Sequence, residues 1–339
     1  MKAVVCREFG PTDDLEFADV PDPEPAADEV LIAVEASGVN FPDALMVNGT
    51  YQVKPERPFI PGSEVAGRIV AVGAQVDGLQ VGQRVTAFCG IGGYAELVAV
   101  PGARVTPVAD NVPFDQAAVL PVAYGTAQHG LINHAALEAG ESVLVLGAGG
   151  GVGLAAVQLA RAHGAIVTAV VSSPEKAAVV AEAGAHRVLQ VSPAPAEPSE
   201  GKPDALPGLS REDTFDVVVD TVGGAQADNA VRRLAWRGRY LVVGFASGDI
   251  PQFRANRVLL NEGRIMGVLW GQWARRNPEV NAAMMRDLAG LLSEGRISPH
   301  LHRTFDLSHA AQALREVSGR QVMGKVVLGQ PTNDEKGQN

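Results

Sequence analysis

Apolar positions fall along this chain in two textures. In the first third they come in short runs: "EVLIAVEASGV" is mostly apolar, "AGRIVAVGAQV" alternates less cleanly, and "VGQRVTAF" and "YAELVAV" follow. Gly and Pro separate them at short intervals, which predicts the strands and turns of an all-β barrel. From about Gln116 the pattern changes. "FDQAAVLPVAYGTAQHGLINHAAL" has small-residue helical character, "ESVLVLGAG" is a continuous apolar strand, and "GVGLAAVQLARAHGA" is a helix. The alternation continues through "IVTAVV", "PEKAAVVAEAGA", "DVVVDTVGG", "NAVRRLAWRGR" and "YLVVGFA", which assigns "NAVRRLAWRGR" to a helix. Buried strands alternating with helices predict a parallel sheet, so the fold class is α/β.

Prolines at 193, 195, 198, 203 and 207 break that alternation and predict an irregular surface loop over 192–213. A helix is expected near Val280 to Glu294, then a strand-rich tail ending in "GKVVLG" and a polar end, "TNDEKGQN". There is no internal repeat.

At 339 residues, two domains are the default expectation. Lys plus Arg is 28 against 38 for Asp plus Glu, a net charge of −10, which disfavours nucleic acid and anionic membrane as partners. No apolar run reaches spanning length, and "MKAVVCREFG" lacks the apolar core of a signal peptide. Cys6 and Cys89 are the two cysteines, expected as reduced thiols in a cytoplasm, and structural zinc on four cysteines is excluded by count.

The strongest signal is "VLVLGAGGGVGLAAVQLARAHGA", an apolar strand running into glycines with a helix directly after. Glycines let the backbone approach a pyrophosphate, whose charge meets the amides at the helix start. In the G-x-G-x-x-G register Ala148, Gly150 and Gly153 take the three places, with Gly151 and Val152 between the last two. Sites for NAD carry an acid at the end of the second strand, to accept from the ribose 2′-hydroxyl. Here Ser172 and Ser173 follow "IVTAVV" and Lys176 comes in the next helical turn. Hydroxyls and an ammonium suit a 2′-phosphate, so NADPH is the expected cofactor.

With these pieces in order, the chain resembles the medium-chain dehydrogenase/reductase superfamily, and within it the zinc-free NADPH:quinone oxidoreductase branch typified by zeta-crystallin. "SGVNFPDALMVNGTY", "PFIPGSEVAGRIVAVG", "VGQRV", "LGAGGGVGLAAVQLA", "DTVGG", "GRYLVVGFASG" and "GKVVL" carry the resemblance over nearly the whole chain. It implies a GroES-like catalytic domain at 1–122, completed by 273–330, with a Rossmann doubly wound domain inserted at 123–272 and a polar tail at 331–339. A homodimer is implied as well, with "RIMGVLWG" as the edge strand.

Zinc alcohol dehydrogenases of the superfamily have Cys in the segment matching "SGVNFPD" and His in the one matching "PGSEVAG"; here those positions are Asn40 and Ser63. An amide and a hydroxyl are poor zinc ligands, neither cysteine lies near Ala118 where a third ligand belongs, and "HLH" at 300–302 has nothing to complete it. No metal is expected, and Glu64 reads as a hydrogen-bonding scaffold. Without a Lewis acid the acceptor must already be activated, which points to quinones or conjugated carbonyls. Asn40 and Tyr51 are the candidate hydrogen-bond donors.

The Gly244–Phe245–Ala246 backbone is expected beside the nicotinamide, because "YLVVGFA" ends a strand and ligands lie beyond such ends; the resemblance adds Thr126, and Val222 is a further cofactor-binding candidate. Leu45, Leu269 and Trp270 suggest an apolar substrate pocket. Leu45 stands where zeta-crystallin-like members often have another tyrosine, and "NGTY" also fits enoyl-thioester reductases of the superfamily. The alternatives are therefore an NADPH-dependent 2-enoyl-thioester or alkenal reductase, and a non-catalytic NADPH-binding protein.

Overall fold

A computed structural model describes residues 1–191, 206–210 and 212–329; most of the proline-rich stretch and the polar tail lie outside these. The chain forms two compact units. One comprises Met1–Val122, Ala274–Gly295 and the chain from Pro299 onward; the other comprises Ala123–Trp273 with Arg296–Ser298.

In chain order the first unit contributes β1 (Lys2–Val5), β2 (Glu16–Asp19), β3 (Glu29–Val39), α1 (Phe41–Val47), β4 (Glu64–Val72), β5 (Arg84–Phe88), β6 (Leu97–Pro101), β7 (Val105–Pro107) and α2 (Phe114–Ala118). The second follows with α3 (Gly125–Gln128), β8 (Ser142–Leu146), α4 (Gly151–Ala162), β9 (Ile166–Val171), α5 (Pro174–Glu182), β10 (Arg187–Gln190), β11 (Phe215–Asp220), α6 (Ala225–Val231), β12 (Leu234–Val242), α7 (Ala255–Leu260) and β13 (Arg264–Gly267). Then come α8 (Trp270–Arg276), α9 (Pro278–Ser293), β14 (Leu301–Asp306), α10 (Ala310–Ser318) and β15 (Lys325–Gly329).

In the first unit β3 is the organising strand. It pairs antiparallel with β4, β6 and β15, in a sheet ordered β14-β15-β3-β4-β5-β7. Val30, Ile32 and Val34 point to one face and pack with Val65, Ile69, Val85, Val98 and Val100, the two-residue period of a half-buried strand. The C-terminal β15 closes on the end of β3, bringing Lys325 to the turn between β3 and α1.

The second unit is a six-stranded parallel sheet ordered β10-β9-β8-β11-β12-β13. That is the doubly wound order, in which the succession of strands reverses between the parallel neighbours β8 and β11 and ligands bind beyond the strand ends. Val143 to Leu146 on β8 are all buried, which explains its unbroken apolar run. Together the units give the GroES-like and Rossmann combination.

Two expected elements differ. "NAVRRLAWRGR" is not one helix: α6 ends at Val231 and β12 begins at Leu234, which is buried beside Phe215 and Tyr240. The strand takes up its helical-looking polar residues through a register shift and a left-handed Arg237, φ 62°, whose N–H donates to the Asn261 carbonyl. In "RIMGVLWG" only Arg264–Gly267 is strand, at the sheet edge; Trp270 already begins α8. Among the described residues no helix is long and apolar enough to cross a membrane.

Candidate active site

In the first unit the site begins where β3 turns into α1. Asn40 is the N-cap, extended at φ −126°, with Pro42 in the first turn and Asp43 at the third helical position. Asp43 reaches back to accept from the Asn40 N–H at 2.9 Å, as an N3 carboxylate does in a capping box. It is fully buried and also accepts from the Ser63 hydroxyl at 2.6 Å and the Tyr94 hydroxyl at 3.0 Å. Burial pushes the Asp43 carboxyl up to about 6, against the pull of Ser63, Tyr94, the Asn40 amide and the Lys325 charge.

Beside it lies a second buried cluster. The Lys325 ammonium donates to Glu64 Oε1 at 2.9 Å, Asn40 Oδ1 at 2.6 Å and the Val39 carbonyl at 3.1 Å, using all three of its protons. The other oxygen of Glu64 accepts from the Val122 N–H at 2.7 Å. Gly38 makes room for this carboxylate, since a Cβ there would lie 2.2 Å from Oε1. Asn40 is thereby turned inward. Lys325 holds its amide oxygen, and Asn40 Nδ2 donates to Glu64 at 3.0 Å and faces the Gly38 carbonyl at 3.5 Å. Both ends of the amide are engaged within the protein, so it serves as a fixed member of the frame.

Tyr51 is placed by the loop after α1. Gly49 turns the chain at φ 68°, a left-handed position suited to glycine, and the Thr50 and Tyr51 N–H groups both donate to the Leu45 carbonyl. The Tyr51 ring is half-buried, and its hydroxyl has no hydrogen-bond partner among the described residues. Burial raises the phenol pKa and the Asp43 charge raises it further, while Arg275 acts in the opposite sense. Tyr51 therefore stays protonated, as a donor.

In the second unit the turn after β8 forms a cradle. Gly147 sits at φ 72°, where a Cβ would meet Thr221 Oγ1 at 2.4 Å and Val222 at 2.6 Å. A Cβ on Gly153 would lie 2.2 Å from the Gly147 carbonyl, which is the close packing that the third glycine of the fingerprint provides. Gly150 is the N-cap of α4, so the amides of Gly151, Val152 and Gly153 open that helix. Ala148 is fully buried, and its N–H bonds to the Val170 carbonyl.

The Lys176 stem packs over Gly149, within 3.0 Å of an added Cβ, and its half-burial lowers the ammonium pKa. Ser173 is the N-cap of α5: it accepts from the Lys176 N–H at 3.3 Å and donates to Glu175, whose carboxyl is lowered by that bond. Ser173 is thus occupied locally, while Ser172 is exposed. At the ends of β11 and β12 the loops are zipped together. Asp220 accepts from the Val222 and Gly223 N–H groups, and Gly244, Ala246 and Ser247 donate to the carbonyls of Asp220, Thr221 and Val222. Phe245 stands out from this loop, exposed, and Thr126 on α3 is partly buried.

The suggested apolar pocket residues divide by role. Leu45 supports the Tyr51 backbone, and Leu269 is 60% exposed. Trp270 is buried against α3, where a Cβ on Gly125 would lie 2.8 Å from its ring. The glycine turn after β8, Tyr51, Asn40 and Ser63 were singled out from sequence motifs; Asn40, expected as a donor to substrate, instead spends its amide on Glu64 and Lys325. Asp43, Tyr94 and Lys325 were missed. The N-x-x-D spacing after an apolar strand signals Asp43; a lone lysine in the apolar run "KVVL" signals Lys325.

Residues 26–110 match the family described as alcohol dehydrogenase GroES-like domain, and 151–288 the one described as zinc-binding dehydrogenase. The "Quinone oxidoreductase-like protein 2 homolog" of Nematostella vectensis is 34% identical over 331 residues, covering 96% of this chain and 88% of that protein. The quinone oxidoreductase of Rattus norvegicus is 34% identical over 333 residues, covering 97% of each. The chain belongs to the quinone oxidoreductase family of medium-chain dehydrogenases/reductases. Among solved structures of this fold is mycobacterial Rv1454c complexed with NADPH, 29% identical with a TM-score of 0.84 over 97% of this chain and 99% of that one. Members of the family are oxidoreductases.

The glycine cradle and the amides opening α4 fit a dinucleotide pyrophosphate. Zinc fares differently. Among the described residues no three His, Cys, Asp or Glu side chains come together as ligands, and the Asn40 and Ser63 oxygens are engaged with Lys325 and Asp43.

Proposed function

We propose that this enzyme reduces quinones and similar conjugated carbonyl compounds with hydride from NADPH, and that it does so without zinc. One observation carries the reading. Around the head of α1, Asn40, Asp43, Ser63, Glu64, Tyr94 and Lys325 are tied to one another, and the protonated Tyr51 hydroxyl has no hydrogen-bond partner among the described residues. It is the group left to donate to a substrate oxygen as negative charge develops there. Glu64 and Lys325 hold that frame together. The donor set at Asn40 and Ser63 suits hydrogen bonding and not a transition metal.

NADPH supplies the hydride when bound. The Gly147–Gly153 turn and the start of α4 hold its pyrophosphate, Ser172 and Lys176 its 2′-phosphate, and Thr126, Val222 and the Gly244–Ala246 backbone border the nicotinamide.

The test is NADPH oxidation with a benzoquinone, crotonyl-CoA and a 2-alkenal. Preference for the quinone supports the reading; preference for crotonyl-CoA identifies an enoyl-thioester reductase, and no turnover a binding protein. Tyr51→Phe is expected to lower kcat/KM by roughly 1–3 kcal/mol of transition-state stabilisation, less for quinones than for enones. NADPH affinity should be unchanged. A kcat/KM within a factor of about two for both acceptors makes Tyr51 packing. Elemental analysis should find no zinc bound to the chain, and chelators should leave the rate unchanged.

A further inference from the structure

Asp220 is a second buried carboxyl, and it lies in the cofactor unit. It ends β11, beside β8 where the succession of strands reverses, and is 1% exposed. We propose that Asp220 is a positioning residue for NADPH: it pins the 221–224 loop against the glycine turn and so sets where the nicotinamide half of the cofactor lies. The inference rests on the nicotinamide placement proposed above, whichever acceptor is reduced.

The carboxylate ties three parts of the chain together. Oδ1 accepts from the Val222 N–H at 2.8 Å and the Gly223 N–H at 2.9 Å, so the side chain folds the loop back over its own strand end. Oδ2 accepts from the Tyr240 hydroxyl at 2.6 Å. Tyr240 is fully buried on β12, with Phe253 edge-on to its ring at 5.2 Å between centroids. The core thus holds the carboxylate, and the carboxylate holds the loop. Burial raises the Asp220 carboxyl, and the Tyr240, Gly223 and Val222 donors act against that.

The pinned loop is the one that meets the cofactor turn. Thr221 Oγ1 donates to the Leu146 carbonyl at 3.0 Å, and Thr221 and Val222 fill the space that a Cβ on Gly147 would need. Gly223 and Gly224 follow at φ 71° and 63°. A Cβ on Gly223 would lie 2.8 Å from the Asp249 carbonyl and 3.1 Å from the Phe245 ring, so the loop is also fitted closely to the one after β12. Ligands of a doubly wound sheet lie beyond these strand ends, at the reversal. The 2′-phosphate candidates Ser172 and Lys176 stand elsewhere, after β9 and on α5. Releasing Asp220 should therefore disturb one half of the cofactor and spare the other.

The test measures, in the whole enzyme by calorimetry, the binding of NADPH and of 2′,5′-ADP, which has the adenosine 2′-phosphate but no nicotinamide. Asp220→Ala should weaken NADPH binding by about 10- to 100-fold and leave 2′,5′-ADP within about threefold of wild type. Asp220→Asn should bind NADPH within about threefold of wild type, since its amide oxygen accepts from the same two N–H groups and its Nδ2 donates to Tyr240. If Asp220→Ala does not fold, Gly223→Ala takes its place: the added Cβ displaces the loop with the carboxylate and its core partners kept, and should separate the two ligands in the same way. Equal weakening of both ligands points to a general loss of structure and overturns the proposal. Unchanged NADPH binding overturns it too, as does an Asp220→Asn enzyme as weak as Asp220→Ala. A wild type that binds NADPH no more tightly than 2′,5′-ADP would also overturn it, since no nicotinamide-side contact is then there to lose. All of these are binding measurements, so an enzyme that passes them yet turns over no acceptor keeps the assignment of Asp220 and loses only the reaction.

Discussion

Lys325 Nζ lies 2.9 Å from Glu64 Oε1, and neither side chain has appreciable exposure, at 6% and 0%. The pair joins β15 to β4 and fixes Asn40 between them. An ion pair this deep stabilises only as a complete set, because either charge alone is buried without compensation.

Removing the ammonium should therefore be costly. Lys325→Met is expected to destabilise the protein by about 3–5 kcal/mol, whereas Glu64→Gln combined with Lys325→Met should recover much of that loss. Urea denaturation of the three proteins checks this. A single variant as stable as wild type would mean that the carboxylate is solvated in solution.

Lys176 should decide cofactor choice. The strand end at Ser172 carries no acid, and the Lys176 stem already packs on the glycine turn at Gly149. Lys176→Glu should cut the ratio of kcat/KM for NADPH over NADH by about 10- to 100-fold, the worth of one charge-assisted contact exchanged for repulsion. Equal use of both cofactors by the unmutated protein would refute the preference.

His129 should give an acid-sensitive term in stability. It is buried, stacks on Trp273 at 4.2 Å between ring centroids, and has its pKa lowered from 6.5 to about 4 by burial and by His134. The folded state holds the neutral ring, so this contribution is complete above pH 6.5 and is lost as pH falls towards 4. Asp43 runs the other way: its raised carboxyl contributes fully below 3.8, and that contribution is lost as pH rises through about 6. Comparing Tm with His129→Phe isolates the histidine, since the stack is kept. Wild type should lose Tm relative to the variant on acidification, and a constant difference would disprove the shift.

A homodimer is expected through the second unit. Among the described residues β13 ends the parallel sheet with an unpaired edge, and Trp236, Leu259 and Leu260 are strongly exposed in the same unit. Light scattering at micromolar concentration should report two chains per particle, and Leu259→Glu with Leu260→Glu should shift it towards one.

The sequence by itself determined the cofactor unit. A buried parallel strand must be apolar throughout, a pyrophosphate turn must be glycine, and both constraints act on neighbours in the chain, so "VLVLGAGGGVG" is legible without a fold. The head of α1 carries a local signal that the sequence reading passed over, because a cap and its N3 carboxylate are three residues apart. The end of α6 escaped it, since "NAVRRLAWRGR" suits a helix locally and becomes strand only because Leu234 has Phe215 and Tyr240 to pack against. Tertiary structure alone decided which polar groups meet around the head of α1. Lys325 meets Glu64 from 261 positions away, and Tyr94 meets Asp43 from 51. Whether a buried polar group faces inward or is left to act is settled by partners that no local pattern contains, and those partners tie Asn40 inward, aim Ser63 at Asp43 and leave the Tyr51 hydroxyl without a partner among the described residues.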